Sequence, residues 1–399
     1  MKQGLLDYVD LRHQIDLCES LEDRVDVYRC LIESFQNGEL NIDRDFSIRG
    51  LFEATVDRGE EYLNRTGRRF KSGGVESLLE AADAVDSAAF DNITGQILFT
   101  RIREAYSSPE FLYPELADEQ QTPFPYGERI PGVGPIGDKI GSVGEGEKYP
   151  TAGLNEEYID VPGTTKKGLI VPVTREAIEF DRTGLVLKRA GEEGNAYGVD
   201  VEQRTLAVVV GTVNNYKRNG VATNTYLSSG AYINIATSNP LKDWTSVQTL
   251  ELLFDAMVDP NTGLPINVGF DKTILVPSAL KATGFHIERA TEVDRVDNTA
   301  SPVTFRAHSM NPLRVFNGGS PYKFASNQYV KRATNSTTRW FLGNFKKAFC
   351  RYFNWKEEIT RASDMAAARF ERDIWAQFKI STRDIVVCTE PRVVAYSDQ

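Results

Sequence analysis

Residues 120–150 read QQTPFPYGERIPGVGPIGDKIGSVGEGEKYP, and residues 153–174 continue as GLNEEYIDVPGTTKKGLIVPVT. The first stretch meets Pro or Gly every few positions, so no helix survives in it, and its few apolar side chains build no core. The second alternates toward strand character, with Pro162-Gly163 as a turn and a strand over 169–173. A structureless loop of this length is uncommon inside a compact domain. The pattern predicts an extended β arm. Two strands of ~15 residues, each rising ~3.3 Å per residue, would reach roughly 50 Å from the body. A two-stranded ribbon alone in water is marginal, so such an arm needs a neighbour to lie on. Within it, Gly132-Val-Gly134-Pro-Ile-Gly137 matches the glycine string of dinucleotide sites. That site requires a strand before the string and a helix after it, and these flanks allow neither.

Beyond the arm, residues 181–216 predict a long helix. Gly191, Gly194 and Gly198 lie in its first half, each costing ~0.5–1 kcal/mol against alanine. That spacing suits another backbone passing close by, while residues 206–210, apolar on all sides, predict burial. Residues 220–335 read as a separate α/β lobe. Thr245 and Gln248 form a capping box for a helix with Val247, Leu250, Phe254, Met257 and Val258 inward, and residues 273–276 form a strand. RWFLGNFKKAFCRYFNW, residues 339–355, reads as β. A helix is then predicted from Ser363 or Asp364, with Ala367, Phe370, Ile374 and Phe378 inward, before a final strand pair at 384–388 and 392–396 interrupted by Pro391.

Upstream, Ser20 with Asp23 resembles a capping box. Leu21, Val25, Tyr28, Ile32 and Phe35 then recur at helical spacing until Asn37-Gly38. Ser47 caps a second helix carrying Leu51, Phe52 and Val56. Residues 64–74 read as a basic hinge, and residues 75–103 as a helix with Leu78, Leu79, Ala82, Val85 and Ala89 on one side.

Composition narrows the function. The chain has 399 residues, 41% hydrophobic and 26% charged, with a net charge of −10. These are globular proportions, which exclude disorder of the whole chain. No run approaches ~18 apolar residues, so no membrane span is expected. The N-terminus lacks the apolar centre of a signal peptide, so a cytoplasmic start is expected. Residues 1–90 hold 19 acidic against 11 basic side chains, most of the net charge. A sequence pI near 5.1 without a Lys/Arg cluster argues against a surface that grips nucleic acid.

The search for chemistry is empty. Cys18, Cys30, Cys350 and Cys388 stand singly, with Cys350 and Cys388 expected as buried thiols. His13, His286 and His308 are far apart in sequence. Glu145 with Glu147, and Glu156 with Glu157, read as charged contacts to a neighbour rather than an acid–base pair. Glu292, Asp294 and Asp297 lack calcium-loop spacing and read as a solvated loop. No catalytic, cofactor-binding or metal-binding residue is assigned.

The ordered set of elements resembles the major capsid proteins of tailed bacteriophages, whose fold is named after phage Hong Kong 97. The likeness spans roughly residues 90–399. GEGEKYPTAGLNEEYIDVPGTTKKGLIVPVTREAI is similar to the extended E-loop and its return strand. TREAIEFDRTGLVLKRA and GVDVEQRTLAVVVG are similar to the spine helix and its lead-in, and KTILVPSALKATG to a strand and turn of the axial domain. RWFLGNFKKAFCRYF resembles a conserved β segment of the family, with Gly343-Asn344-Phe345 where relatives carry Gly-Asp-Phe. FERDIWAQFKISTRDIVVCTEPRVVAY resembles the closing helix and strand.

The resemblance implies an α+β, Hong Kong 97-like capsid fold. Its parts would be an acidic helical N-terminal extension at 1–90, an arm helix and linker at 91–125, and the E-loop at 126–172. A peripheral domain would combine 173–225 with 336–380, and an axial domain 226–335 with 381–399. The implied function is a non-enzymatic structural subunit, without cofactor or membrane contact. Its partners would be further copies of itself in hexamers and pentamers, a portal, decoration proteins, and double-stranded DNA held by enclosure. The implied place is the virion, assembled in the bacterial cytoplasm. Lys139, Glu145, Glu147 and Lys148 on the arm are the expected intersubunit contacts. In some relatives a lysine–asparagine bond welds subunits, for which Lys139 or Lys148 with Asn344 or Asn354 supply the residue types. Two rival readings remain open: an encapsulin-type compartment shell, and an enzyme assembled from distant residues around His286.

Overall fold

The computed structural model describes residues 4–5, 8–17, 21–36, 40–41, 48–55, five positions between 93 and 105, 111–131, 142–149, 158–174, 185–230, 232–259, 263–296 apart from 264, 267 and 270, 306–311, 322–361 and 374–398. Helices and strands mix in an α+β architecture. The chain divides into two compact units, one of residues 1–109, 167–199 and 357–382, the other of 110–166, 200–356 and 383–399.

The first unit begins with helices α1 (Tyr8–Asp16), α2 (Leu21–Gln36) and α3 (Ile48–Thr55). Short strands β1 (Gly4–Leu5) and β2 (Leu40–Asn41) pair in parallel. Leu11 and Ile15 of α1, Tyr28 and Leu31 of α2, and Leu51 and Ala54 of α3 are buried; Tyr28 and Leu51 stand on the inward faces expected from the helical spacing. The Tyr28 hydroxyl donates to the Thr55 carbonyl at 3.0 Å, satisfying an orphan carbonyl at the end of α3. Residues 64–74, most of 75–103, and the glycine string at 132–137 lie outside the described residues.

The second unit is organised by a five-stranded sheet. Its order is β13 (Tyr322–Asn327), β10 (Lys272–Pro277), β14 (Trp340–Gly343), β17 (Val394–Ser397) and β9 (Ile235–Ala236). The β10–β13 and β17–β9 pairings are parallel, and those of β10–β14 and β14–β17 antiparallel. Central strands β10 and β14 are buried over almost their whole length, and KTILVP and WFLG are accordingly apolar without alternation. Helices α4 (Tyr113–Leu116), α6 (Trp244–Asp255), α7 (Lys281–Arg289) and α8 (Gln328–Thr334) belong to this unit, and Val247, Leu250, Phe254, Ile287 and Val330 share one core with the sheet.

A second sheet runs β3 (Asp118–Gln121), β15 (Phe349–Arg361), β16 (Ile374–Cys388) and β6 (Thr165–Thr174). A third runs β4 (Gly127–Pro131), β5 (Tyr158–Pro162), β7 (Lys217–Arg218) and β8 (Val221–Ala222). A ribbon pairs β11 (Glu292–Val296) with β12 (Arg306–Met310) in antiparallel register.

The long helix α5 spans Leu185–Val209, and it stops before Tyr216, where the apolar pattern had placed its end. Gly211 takes φ +75, the left-handed conformation of a helix terminus. A side chain there would meet the Tyr226 ring at 2.7 Å, and the Tyr226 hydroxyl donates to the Val209 carbonyl at 2.7 Å. The ring therefore leaves no room for a side chain at position 211. Leu206, Val208, Val209 and Val210 are buried as expected. Gly191 does not meet the expected close backbone, because a Cβ built there has nothing within 4 Å.

Several other expectations are corrected. The predicted helix through Ile374 and Phe378 is strand β16 from residue 374 onward; the part before 374 lies outside the described residues. Ile374, Phe378 and Ile380 share one parity, so the same residues fit a strand face with period two. Asp243, not Thr245, caps α6, accepting from the Thr245 and Ser246 amides at 2.9 and 3.4 Å. Val258 lies beyond that helix and is exposed. The presumed loop at Glu292 and Asp294 is strand β11, while Asp297 lies outside the described residues. The aromatic stretch at 339–355 is β apart from one helical turn, α9 (Phe345–Ala348), capped by the Asn344 side chain.

Candidate functional site

The root of the arm is the pairing of β4 with β5, antiparallel from Gly127↔Pro162 to Pro131↔Tyr158. Residues 132–157 lie between these strands. Two glycines permit the close approach at the root. A Cβ on Gly127, at φ +116, would stand 2.9 Å from the Val161 carbonyl oxygen, and one on Gly163 would stand 3.0 Å from that of Pro125.

A polar clasp holds this root to β15 and β16. The Thr122 amide donates to the Phe353 carbonyl at 2.9 Å. Asn354 donates through Nδ2 to the Thr122 carbonyl at 2.8 Å, and its Oδ1 accepts from the Thr164 hydroxyl. Arg383 donates through Nε to Thr164 Oγ1 at 3.0 Å and through a terminal nitrogen to the Pro125 carbonyl at 3.4 Å. Thr122 Oγ1 in turn donates to Glu128 on β4 at 2.6 Å. Asn354 and Arg383 thus each touch both ends of the β4–β5 hairpin and pin it to β15 and β16.

Beneath the clasp runs a chain of alternating charges. Arg351 donates to Asp384 Oδ2 at 2.7 Å and to Glu119 Oε1 at 3.0 Å; Arg204 on α5 donates to Asp384 Oδ1 at 2.7 Å and to Asp200 at 2.8 Å. Lys356 reaches Glu119 Oε2 at 2.6 Å. Arg351 and Asp384 are 1% and 0% exposed, a degree of burial that is costly for ions unless they are paired. Burial would raise the Glu119 carboxyl, but the hydrogen bonds and charges of Lys356 and Arg351 outweigh it and hold it below the usual range. Burial would also depress Arg204, and the Asp384 charge reverses that, raising it.

Glu202, two residues before Arg204, makes a second buried link. Its carboxylate accepts from the Leu112 and Tyr113 amides at 3.1 and 2.7 Å and from Asn327 Nδ2. Here burial prevails over the hydrogen bonds, and the carboxyl is raised.

The surface of the arm is unlike its root. Phe124 and Tyr126 at the base are exposed, Tyr126 at 93%, and Tyr149 near the tip is 79% exposed. Residues 142–149 form a turn in which the Glu147 amide donates to the Gly144 carbonyl at 3.0 Å and Gly146 takes φ +84. Glu145, Glu147 and Lys148 are exposed there. Lys139, Glu156 and Glu157 lie outside the described residues. Three large rings, Phe124, Tyr126 and Tyr149, are thus exposed along this segment.

The remaining candidates are placed as follows. Cys350 and Cys388 are buried free thiols; burial pushes Cys350 up to about 12 and Cys388 further in the same direction. His286 is exposed on α7, and His308 pairs across the ribbon with Asp294 in backbone register. No group of three His, Cys, Asp or Glu suited to a metal ion occurs among the described residues. Asn344 caps α9 and donates to the Val268 carbonyl at 3.3 Å, so both asparagines considered for a covalent weld have hydrogen-bonding duties within the chain. Sequence reasoning missed the clasp: Thr122, Thr164, Asn354 and Arg383 are far apart in sequence and belong to no motif.

A family model described as phage capsid protein matches residues 159–396, from inside β5 to the last strand. No curated protein matches the chain. Among solved structures the chain is similar to the capsid of a native GTA particle, at 10% identity over 73% of this chain and 90% of that chain, with a TM-score of 0.43. It is similar to a virus-like particle from Pyrococcus furiosus at 9% identity over 76% and 98% of the two chains, with a TM-score of 0.42. It is also similar to the capsid of cyanophage P-SCSP1u at 10% identity over 72% and 88%, with a TM-score of 0.42.

Proposed function

This chain belongs to the phage capsid protein family, and from that premise we propose that its copies assemble into hexamers and pentamers of an icosahedral shell around double-stranded DNA. The observation that carries the reading is the clasped β4–β5 root together with the exposed rings of Tyr126 and Tyr149 that one chain leaves in water. Residues 126–172 act as the E-loop of a Hong Kong 97-type chain path. The peripheral domain takes 173–225 and 336–380, and the axial domain 226–335 and 381–399. Residues 1–90 form an acidic N-terminal extension. Lys139, Glu145, Glu147 and Lys148 serve contacts between subunits.

Head-to-tail contacts of this kind close into rings when the rotation between copies closes. The acidic balance of the chain, a net charge of −10, suits a container that holds DNA by enclosure, since a net negative wall attracts phosphates weakly. A portal and decoration proteins complete the assembly, which takes place in the bacterial cytoplasm and ends in the virion. Among the described residues no helix is long and apolar enough to cross a membrane.

The test is negative-stain electron microscopy of the purified full chain after size-exclusion chromatography, with the nucleic-acid content of the particles measured. Uniform shells or ring-shaped capsomers are expected, with DNA in particles taken from infected cells. Particles filled with protein in place of DNA would make it a compartment shell. A monomer or dimer that stays so under crowding agents would overturn assembly altogether.

A further inference from the structure

The second unit carries a groove of about 580 Å³ over the β4–β5–β7–β8 sheet, beside the root of the arm. Tyr126, Arg129, Asp160, Asn214, Lys217 and Asn224 line it. Its charges are arranged unequally. Asp160 takes both Arg129 Nε, at 3.2 Å, and Lys217 Nζ, at 3.4 Å, so two cations share one carboxylate. The groove's other carboxylate, Glu128, already accepts from Thr122 Oγ1. Arg129 lies with its guanidinium 4.6 Å over the Tyr158 ring, and no acceptor among the described residues meets its terminal nitrogens. Arg129 and Lys217 are 71% and 47% exposed while Asp160 is 19% exposed. The groove therefore turns positive charge outward and holds its negative charge inward.

The arm tip is the complement. Residues 142–149 present Glu145, Glu147 and Lys148 around the turn, with Tyr149 exposed beside them. One oxygen of Glu147 accepts from the Gly144 amide at 3.2 Å, which orients the carboxylate and leaves the other oxygen for a partner. Within one chain neither glutamate pairs with Arg129 or Lys217 among the described residues, so the tip does not occupy its own groove.

The geometry points to this groove as the seat of a second copy's arm tip. The tip carboxylates meet the Arg129 fork and the Lys217 ammonium, and Tyr149 fills the space beside Tyr126. A planar guanidinium matches a carboxylate in two-point fashion, and a tyrosine anchor in a concave site is a common interface centre. Root and tip are different surfaces, so each copy gives one contact and receives one, as a closing ring requires. The inference rests on the assembly proposed above.

Zero-length carbodiimide coupling of assembled full-length protein, prepared from mixed light and heavy nitrogen chains, tests it. The expected product is an amide between Glu145 or Glu147 of one isotope and Lys217 of the other. Charge reversal gives a second readout. Glu145→Lys with Glu147→Lys is expected to lower the assembled fraction about tenfold or more, since like charges then face each other. Adding Lys217→Glu to that variant is expected to recover much of it. Unchanged thermal melting of the unassembled variants shows that they fold. Shells in which other intersubunit links form but this one is absent would overturn the inference, as would reversal variants that assemble like the parent. In both cases the parent still assembles and the broader reading stands. If the parent does not assemble, both fall.

Discussion

Arg351 and Asp384 form the most completely buried ion pair of the second unit, and Glu119 and Arg204 extend it at either end. Removing one partner leaves an uncompensated buried charge. Asp384→Ala is therefore expected to destabilise the protein by about 3–5 kcal/mol in chemical denaturation, while Arg351→Met with Asp384→Leu recovers part of the loss, Arg204 then keeping Asp200 alone. The two shifted carboxylates respond oppositely to pH. Glu119, held low, contributes stability above the usual carboxylate value that is lost as pH falls through its folded value. Glu202, raised by burial, favours its protonated form in the folded state, so its contribution declines as pH rises above about 4.3. Stability of the parent minus that of Glu202→Gln should fall between pH 4 and 7, and the corresponding difference for Glu119→Gln should rise through the acid range. Denaturant titrations at stepped pH read both, and parallel curves would contradict the assignments. None of these pairings was legible locally: Arg351 is 232 residues from Glu119, and only folding makes them neighbours.

Among the elements, α2 and α3 were readable because a helical stripe and its stop signals are local. Strand β16 was not, because Ile374 and Phe378 fit both periods and the choice rests on neighbouring strands that pair with its backbone. The end of α5 was missed for a related reason. Gly211 is a recognisable stop, but the Tyr226 ring that enforces it comes from a later loop. At the arm, Gly163→Ala would place a Cβ 3.0 Å from the Pro125 carbonyl and force the clasp apart, costing about 1–3 kcal/mol. Hydrogen exchange of the amides paired across β4 and β5 should then accelerate, while the five-stranded sheet stays protected. Uniform acceleration would mean that the root is not a separate cooperative element.

At the scale of the whole molecule, the core of the second unit centres on β10 and β14. Phe341 is fully buried, and its ring centroid stands 5.7 Å from that of Tyr226 and 5.6 Å from that of Tyr396. Phe341→Ala should cost about 3–5 kcal/mol and, in a family of shell subunits, reduce soluble assembled protein together with stability. Tyr126→Ser should do the reverse, leaving the melting temperature of the unassembled chain within about 1–2 °C because an exposed ring stabilises little, while lowering the assembled fraction. A parallel fall in both quantities for Tyr126→Ser would place that ring in the fold instead of at an interface.

Within the sequence, local composition and burial preference were enough to set that the described part of residues 120–150 holds no helix, that Leu206, Val208, Val209 and Val210 are buried, and that Cys350 and Cys388 are buried thiols. The order of its elements also carried the resemblance to phage capsid proteins. Tertiary structure alone decided the clasp of Thr122, Thr164, Asn354 and Arg383, the charge chain beneath it, and the groove beside the arm. Those features join residues from distant parts of the chain, and hydrogen bonds and ion pairs depend on distances of a few ångströms that no local pattern encodes.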